Sequence, residues 1–292
     1  MADLVIETVA SLDAATVAAV QALVDDAAAY DLVAPLNEAA ELGLHHDTVS
    51  HYLATTGSRV IGYAQQDPEL GTAQLCVHPD ARGQGVGTAL CTALLTDAPG
   101  TQVWAFGNLP AAQAIATRLG YVNVRELLIL ERPLTLDEAA APVPAGVTIR
   151  GFQPEDEAAL LAVNAAAFAH HPEQASMDHA NFTERTQQAW YEPAGLLVAV
   201  DEAGTMLGFH WTKQHGGRLG EVYVIATSPQ ASGKGLGGAL LTAGLAHLAA
   251  AGCRQVILYV ESDNPALRLY RRHGFVVARS DVVYAPPERQ SR

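Results

Sequence analysis

The chain spells one outline twice. Residues 77–87 read Val77-His78-Pro79-Asp80-Ala81-Arg82-Gly83-Gln84-Gly85-Val86-Gly87, and residues 227–237 read Thr227-Ser228-Pro229-Gln230-Ala231-Ser232-Gly233-Lys234-Gly235-Leu236-Gly237. Both carry the pattern P-x-x-x-G-x-G-x-G, with Pro79 and Pro229 standing 150 positions apart. A period of that size means two copies of a complete folding unit. The 292 residues accommodate two such units, at about 150 residues each. A hydrophobic content of 49% is enough for a buried core in both.

The order of predicted elements repeats around each glycine loop. Each loop follows a strand (Thr72–Val77; Glu221–Thr227) and opens an Ala/Leu-rich helix, after which come a short strand (Thr101–Phe106; Gln255–Glu261) and an Asn. Asn108 precedes a helical segment that ends in Leu119-Gly120-Tyr121, and Asn264-Pro265 opens one that ends in His273-Gly274-Phe275. Asn264 suits an N-cap, Pro265 a first helical residue and Gly274 a left-handed C-cap. Upstream, Val17, Val20, Leu23 and Val24 mark one face of a helix, as do Leu160, Leu161, Val163 and Phe168 in the second half. Paired strands follow about Gly57-Ser58 and about Glu202-Ala203-Gly204. Glu131 to Gly146, with Pro133, Pro142 and Pro144 among alanines, reads as the connection. The expectation is an α/β chain of the α+β mixed-sheet kind, with a first domain over 1–134, a linker over 135–146 and a second domain over 147–292.

A glycine loop between strand and helix leaves several N–H groups at the helix start without intrahelical partners, and these with the helix dipole make a phosphate cradle. The spacing is neither the dinucleotide G-x-G-x-x-G nor a Walker A loop, because no G-K-[ST] occurs. With 17 basic against 31 acidic residues, a formal net charge of −14 argues against nucleic acid as partner. It still permits a small anion held by backbone N–H groups. No apolar run approaches the roughly 18 residues of a membrane span, and the first residues lack a basic leader region, so a cytoplasmic protein is expected. Cys76, Cys91 and Cys253 form no C-x-x-C pair and are expected as thiols. His45, His46, His51, His170 and His171 lack zinc-ligand spacing, so no metal is expected.

The run strand, Arg82-Gly83-Gln84-Gly85-Val86-Gly87, helix, strand, Asn, helix, Gly-Tyr resembles the acetyl-CoA site of the GNAT superfamily of N-acetyltransferases, twice over. Four segments of the second half, Phe168–Gln174, Gly208–Lys213, Gly220–Val224 and Leu258–Asn264, resemble the mycothiol synthase family, whose members have two such domains. Val33-Ala34-Pro35 with Glu38 fits as well. The resemblance implies acetyl-CoA as co-substrate and no metal. In the first half it would lie against Leu75, Cys76, Val77, Arg82, Gly83, Gln84, Gly85, Val86 and Gly87. In the second it would lie against Ile225, Ala226, Thr227, Ser232, Gly233, Lys234, Gly235, Leu236, Gly237, Gly238, Asn264, Pro265, Ala266, Leu267, Arg268 and Leu269. Ser232 stands where the superfamily usually carries Arg or Gln, as Arg82 does in the first loop. The implied reaction moves an acetyl group to the cysteinyl amine of a cysteinyl-glucosaminyl-inositol, with a monomer acting on this small molecule away from membranes.

Acetyl transfer to an amine requires a neutral amine, a donor for the developing oxyanion and stabilisation of the departing thiolate. Counting back eight from the loop proline gives Glu221 in the second half and Gly71 in the first; counting back four from the closing glycine gives Tyr270 and Ala116. The second half therefore carries a carboxylate and a phenol where the first has no titratable group, and it is expected to be catalytic. Glu221 would take the ammonium proton, directly or through water. A reference amine pKa near 8 against about 4.3 for Glu calls for burial or a relay to help. Tyr270 would stabilise the thiolate by a hydrogen bond, and N–H groups near Ile225–Thr227 would meet the oxyanion by analogy with the superfamily. The bland alternatives are a solvated strand end and a helix aromatic packed on Leu267. For the acceptor the family resemblance points to Glu38, Glu173, Lys213, Glu221 and Tyr259. Another tandem N-acetyltransferase, acting on an aminoglycoside-like, polyamine or protein amine, stays open, as does a non-catalytic acyl-CoA sensor. The first domain is either a retained acetyl-CoA site or a fossil that buries a face of its partner.

Overall fold

The computed structural model describes residues 4–136, 138, 142–169, 177–231 and 233–287, with the side chain of Glu38 excluded. Glu173 and Ser232, together with His170, His171, Pro172 and Gln174, lie outside the described residues. The chain divides into two compact units, Met1–Leu128 with Arg279–Arg292, and Ile129–Ala278.

The first unit contains β1 (Leu4–Val9), α1 (Ala14–Asp31), α2 (Glu38–Gly43), β2 (Ser50–Thr56), β3 (Arg59–Asp67), β4 (Thr72–Val77), α3 (Val86–Asp97), β5 (Gln102–Ala105) and α4 (Pro110–Leu119). Its sheet runs β1-β2-β3-β4-β5 and is completed by the end of β12 (Val276–Ala285), whose Val282, Val283 and Tyr284 pair antiparallel with Ala105, Trp104 and Val103. Only β4 and β5 are parallel. Asp13 starts α1 by accepting from the Thr16 N–H at 2.7 Å. Helices cover both faces of the sheet. Val20, Leu23, Val24 and Ala27 of α1 pack with Leu53 and Tyr63 on one face, and Leu90 and Leu94 of α3 pack with Tyr52 and Ala64 on the other.

The second unit repeats the plan with β7 (Val147–Gly151), α5 (Glu157–Ala167), α6 (His179–Thr186), β8 (Leu196–Asp201), β9 (Met206–Gln214), β10 (Leu219–Thr227), α7 (Leu236–Ala250), β11 (Gln255–Glu261) and α8 (Leu267–Arg272). Its strand order β7-β8-β9-β10-β11 is completed by the end of β6 (Val122–Pro133). Phe182 of α6 and Leu160 of α5 pack against Trp211 and Phe209 on one face, and Leu236 and Leu240 of α7 meet Ala199 on the other.

The mixed α/β sheet of the expected fold class is present in each unit. The compact units do not coincide with cuts at 134 and 147, because each sheet takes its last strand from the other half of the chain. Glu131–Pro133, expected as linker, is strand. There Arg132 donates to the His273 carbonyl at 2.7 Å and lies over the Phe275 ring.

One buried histidine links core packing to pH. His210 is fully buried on β9, and its Nδ1 bonds the Leu240 carbonyl of α7 at 2.8 Å. The close approach depends on Gly244, where a Cβ would stand 2.1 Å from the ring. Burial pushes the imidazole down to about 4, so the folded protein holds it neutral while an unfolded histidine binds a proton near 6.5. The stabilising contribution is full above the unfolded value and is lost as pH falls towards 4, a loss of roughly 3 kcal/mol. Urea unfolding between pH 7 and 4 should therefore show a steeper fall for the wild-type chain than for His210→Gln; parallel curves would refute this.

Candidate active site

Each unit opens a split in its sheet. β4 pairs with β5 only through Thr72–Gln74 and Gln102–Trp104, which leaves Leu75–Val77 unpaired on that edge. In the same way β10 pairs with β11 through Leu219–Glu221 and Gln255–Ile257, and that ladder ends short of Val222–Thr227. A free strand edge can hydrogen-bond an extended ligand as another strand would.

At the end of each split sits the glycine loop. Gly83 and Gly85 have φ of 73° and 89°, and Gly233 and Gly235 have 78° and 84°. Nothing lies within 4 Å of where a Cβ would project at any of the four. Alternating left-handed glycines turn successive N–H groups to one side, and Gly85 and Gly235 are the N-caps of α3 and α7. In the first unit the split widens into a cavity of about 440 Å³, walled by Leu75, Val77, Val103, Phe106 and Ile115 and reaching Gly83 and Gly85. That volume is in the range of small-molecule sites.

Arg82 is engaged elsewhere than the loop's open face. Its Nε donates to the Val77 carbonyl at 3.1 Å, its two Nη atoms clamp Asp31 at 2.7 and 2.8 Å, and it lies over the Tyr30 ring. It braces the end of α1 against the loop, so a loop without this arginine loses a strut as well as a charge. The two asparagines also differ. Asn264 Oδ1 accepts from the Ala266 N–H at 2.8 Å and so caps the turn before α8, not α8 itself. Asn108 accepts from the Tyr284 hydroxyl at 2.9 Å.

The chemical difference between the units lies along β10. Glu221 is 7% exposed, so it is no solvated strand end. Its Oε2 is 2.6 Å from Nε2 of His215, which is about one-third exposed on the β9–β10 turn. Lys213 stands opposite Glu221 on β9 and Ile257 opposite it on β11. Tyr259, two residues along from Ile257, shares that face and is 44% exposed. Three of the expected acceptor residues, Lys213, Glu221 and Tyr259, are therefore on one face. The Lys213 ammonium lies over the rings of Trp190 and Tyr223, at 4.8 and 5.3 Å. These rings belong to an aromatic wall about the buried Trp211 that also holds Tyr191 and Phe182.

β10 contains a bulge that β4 lacks. Its register with β9 slips between Val222, opposite Thr212, and Val224, opposite Trp211, whereas β3 and β4 pair without interruption. Bulges free a backbone N–H from the ladder and re-aim neighbouring side chains. Matching strand partners across the repeat makes Thr72, not Gly71, the counterpart of Glu221, and neither residue is a base. Tyr270 does match Ala116, since the Phe275 N–H bonds the Tyr270 carbonyl as the Tyr121 N–H bonds that of Ala116. Tyr270 is 6% exposed and packs edge-on against Phe275, with burial pushing its phenol up to about 12.

Sequence reasoning missed His215, the bulge and the aromatic wall. A histidine one residue past a strand, six before a carboxylate on the next, was the available signal for the first. Among the described residues no three His, Cys, Asp or Glu side chains gather as metal ligands, and no helix is long and apolar enough to cross a membrane. His51 is instead hydrogen-bonded to Tyr63 inside the first core.

Comparison with known proteins agrees with this geometry. Residues 164–275 match the acetyltransferase (GNAT) family model and residues 47–123 an acetyltransferase (GNAT) domain model. A mycothiol acetyltransferase of Mycolicibacterium smegmatis is 45% identical, with 94% of this chain and 96% of that protein covered. One of Propionibacterium freudenreichii subsp. shermanii is also 45% identical, with 88% of this chain and 84% of that protein covered. Among solved structures, a GCN5-related N-acetyltransferase from Sphaerobacter thermophilus superposes with a TM-score of 0.72 at 23% identity, covering 97% of this chain and 96% of that one. A tandem GNAT protein from the clavulanic acid biosynthesis pathway gives 0.71 at 20% identity, covering 99% and 100%.

Proposed function

The chain belongs to the mycothiol acetyltransferase family of tandem GNAT N-acetyltransferases, and from that premise we propose that its second unit acetylates the cysteinyl amine of a cysteinyl-glucosaminyl-inositol. The observation that carries this reading is Glu221. It is a buried carboxylate beside a split and bulged strand, on one face with Lys213 and Tyr259, and the first unit has no equivalent.

The residues present fit acetyl-CoA. The edge of β10 beyond the β11 ladder suits an extended amide-bearing chain, and the N–H groups ahead of α7 suit a diphosphate. When bound, acetyl-CoA supplies an acyl group activated as a thioester. Glu221 accepts the ammonium proton and leaves the nitrogen lone pair free. A backbone N–H within Ile225–Thr227 faces the charge that develops on the carbonyl oxygen. Tyr270, protonated across the working range, donates a hydrogen bond to the sulfur as it leaves. The stacked Lys213 keeps its N–H donors for substrate hydroxyls, and the Glu221 carboxylate suits a cationic acceptor. Glu38 and Glu173 remain part of the proposed acceptor set.

The test is direct. Incubation of the protein with acetyl-CoA and cysteinyl-glucosaminyl-inositol should give an N-acetylated product that retains its free thiol, identified by mass spectrometry. Preferential acetylation of an aminoglycoside or polyamine would overturn the reading. The first unit's cavity supports a second, non-catalytic acetyl-CoA site. Isothermal titration should then find two acetyl-CoA per chain; one would assign the first unit a purely structural role.

A further inference from the structure

We propose that His215 is a positioning residue for the acetyl transfer, holding the Glu221 carboxylate in its working orientation. This rests on the reading of Glu221 as the base.

The geometry is that of an anchored carboxylate. The turn between β9 and β10 is closed by the His215 N–H on the Leu219 carbonyl at 2.9 Å, which fixes the imidazole's backbone against the strand that carries Glu221. From there Nε2 reaches Oε2 at 2.6 Å, at the short end of charge-assisted hydrogen bonds. With Oε2 held, Oε1 is left to meet the ammonium. The other titratable or charged groups on the surrounding elements are Lys213 on β9, Tyr259 and Glu261 on the same face of β11, and Arg218 in the turn. His247 of α7 is beside Glu192, which also accepts from Gln214. The Lys213 ammonium lies over the Trp190 and Tyr223 rings. Among the described residues, His215 is the side chain that engages the Glu221 carboxylate.

Three variants test this. His215→Phe should lower kcat about tenfold or more, with KM for acetyl-CoA changed less than about twofold. His215→Gln, whose amide N–H can replace the donor, should recover most of that loss. A thermal melt of each variant checks folding. If both His215 variants keep the wild-type kcat while Glu221→Gln is inactive, His215 has no such role and the base assignment stands. If Glu221→Gln itself keeps wild-type turnover, the base assignment fails, and this inference with it.

Discussion

Replacing Glu221 by Gln should lower kcat by about two to three orders of magnitude, the usual worth of a general base. Gln has the same shape and still accepts a hydrogen bond from His215, so packing on β10 should hold and KM for acetyl-CoA should move less than about threefold. The mutant loses only its proton acceptor. Raising the pH delivers more of the acceptor amine already neutral, so the defect should shrink as pH approaches the reference amine value near 8 and beyond. A Glu221→Gln enzyme whose deficit is the same at every pH would show that the carboxylate acts by binding and not by taking a proton. Single-turnover acetylation followed across that range makes the distinction.

Tyr270→Phe carries the second largest expected effect. With the phenol held up to about 12 and a thiol reference near 8.5, full proton transfer to the departing thiolate is uphill by roughly 5 kcal/mol. Hydrogen-bond donation is the available role. A hydrogen bond to a charged group contributes about 1.5–3 kcal/mol, so kcat should fall about 10- to 100-fold. The ring stays and so does its contact with Phe275, which predicts little change in melting temperature. An acetyl thioester of a more acidic thiol needs less help in leaving, and it should narrow the gap between wild type and Tyr270→Phe. A gap that stays constant across thioesters would assign the tyrosine to packing alone.

Much of the fold was legible because it is written in local patterns that recur. The strand over Thr72–Val77 and the glycine loops about 83–85 and 233–235 followed from a motif repeated at one spacing, and Gly274 takes the left-handed conformation expected of it. Glu221 and Tyr270 emerged by subtracting one copy from the other. The subtraction misaligned Glu221 by one residue, because a bulge adds a residue to one strand without leaving a mark in composition. His215 was invisible for a related reason: its role depends on how tightly the turn folds the ring back along the next strand. The strand reading of Glu131–Pro133 was lost to its proline and flanking alanines, which argue locally for a linker while distant partners decide otherwise. Arg82 looked like a ligand contact on sequence grounds, and the presence of Asp31 at 2.7 Å, far away in the chain, could be seen only in three dimensions.

The first unit's sheet is finished by Arg279–Ala285, and the loop beside it is pinned by Asp281, which accepts from the Gly107 N–H at 2.7 Å. During synthesis, then, the first unit must wait for residues made some 174 positions later before its sheet can close. Such long-range pairing is slow to form, and the half-made unit meanwhile carries an open edge on β5. In the order of folding, the N-terminal half comes last.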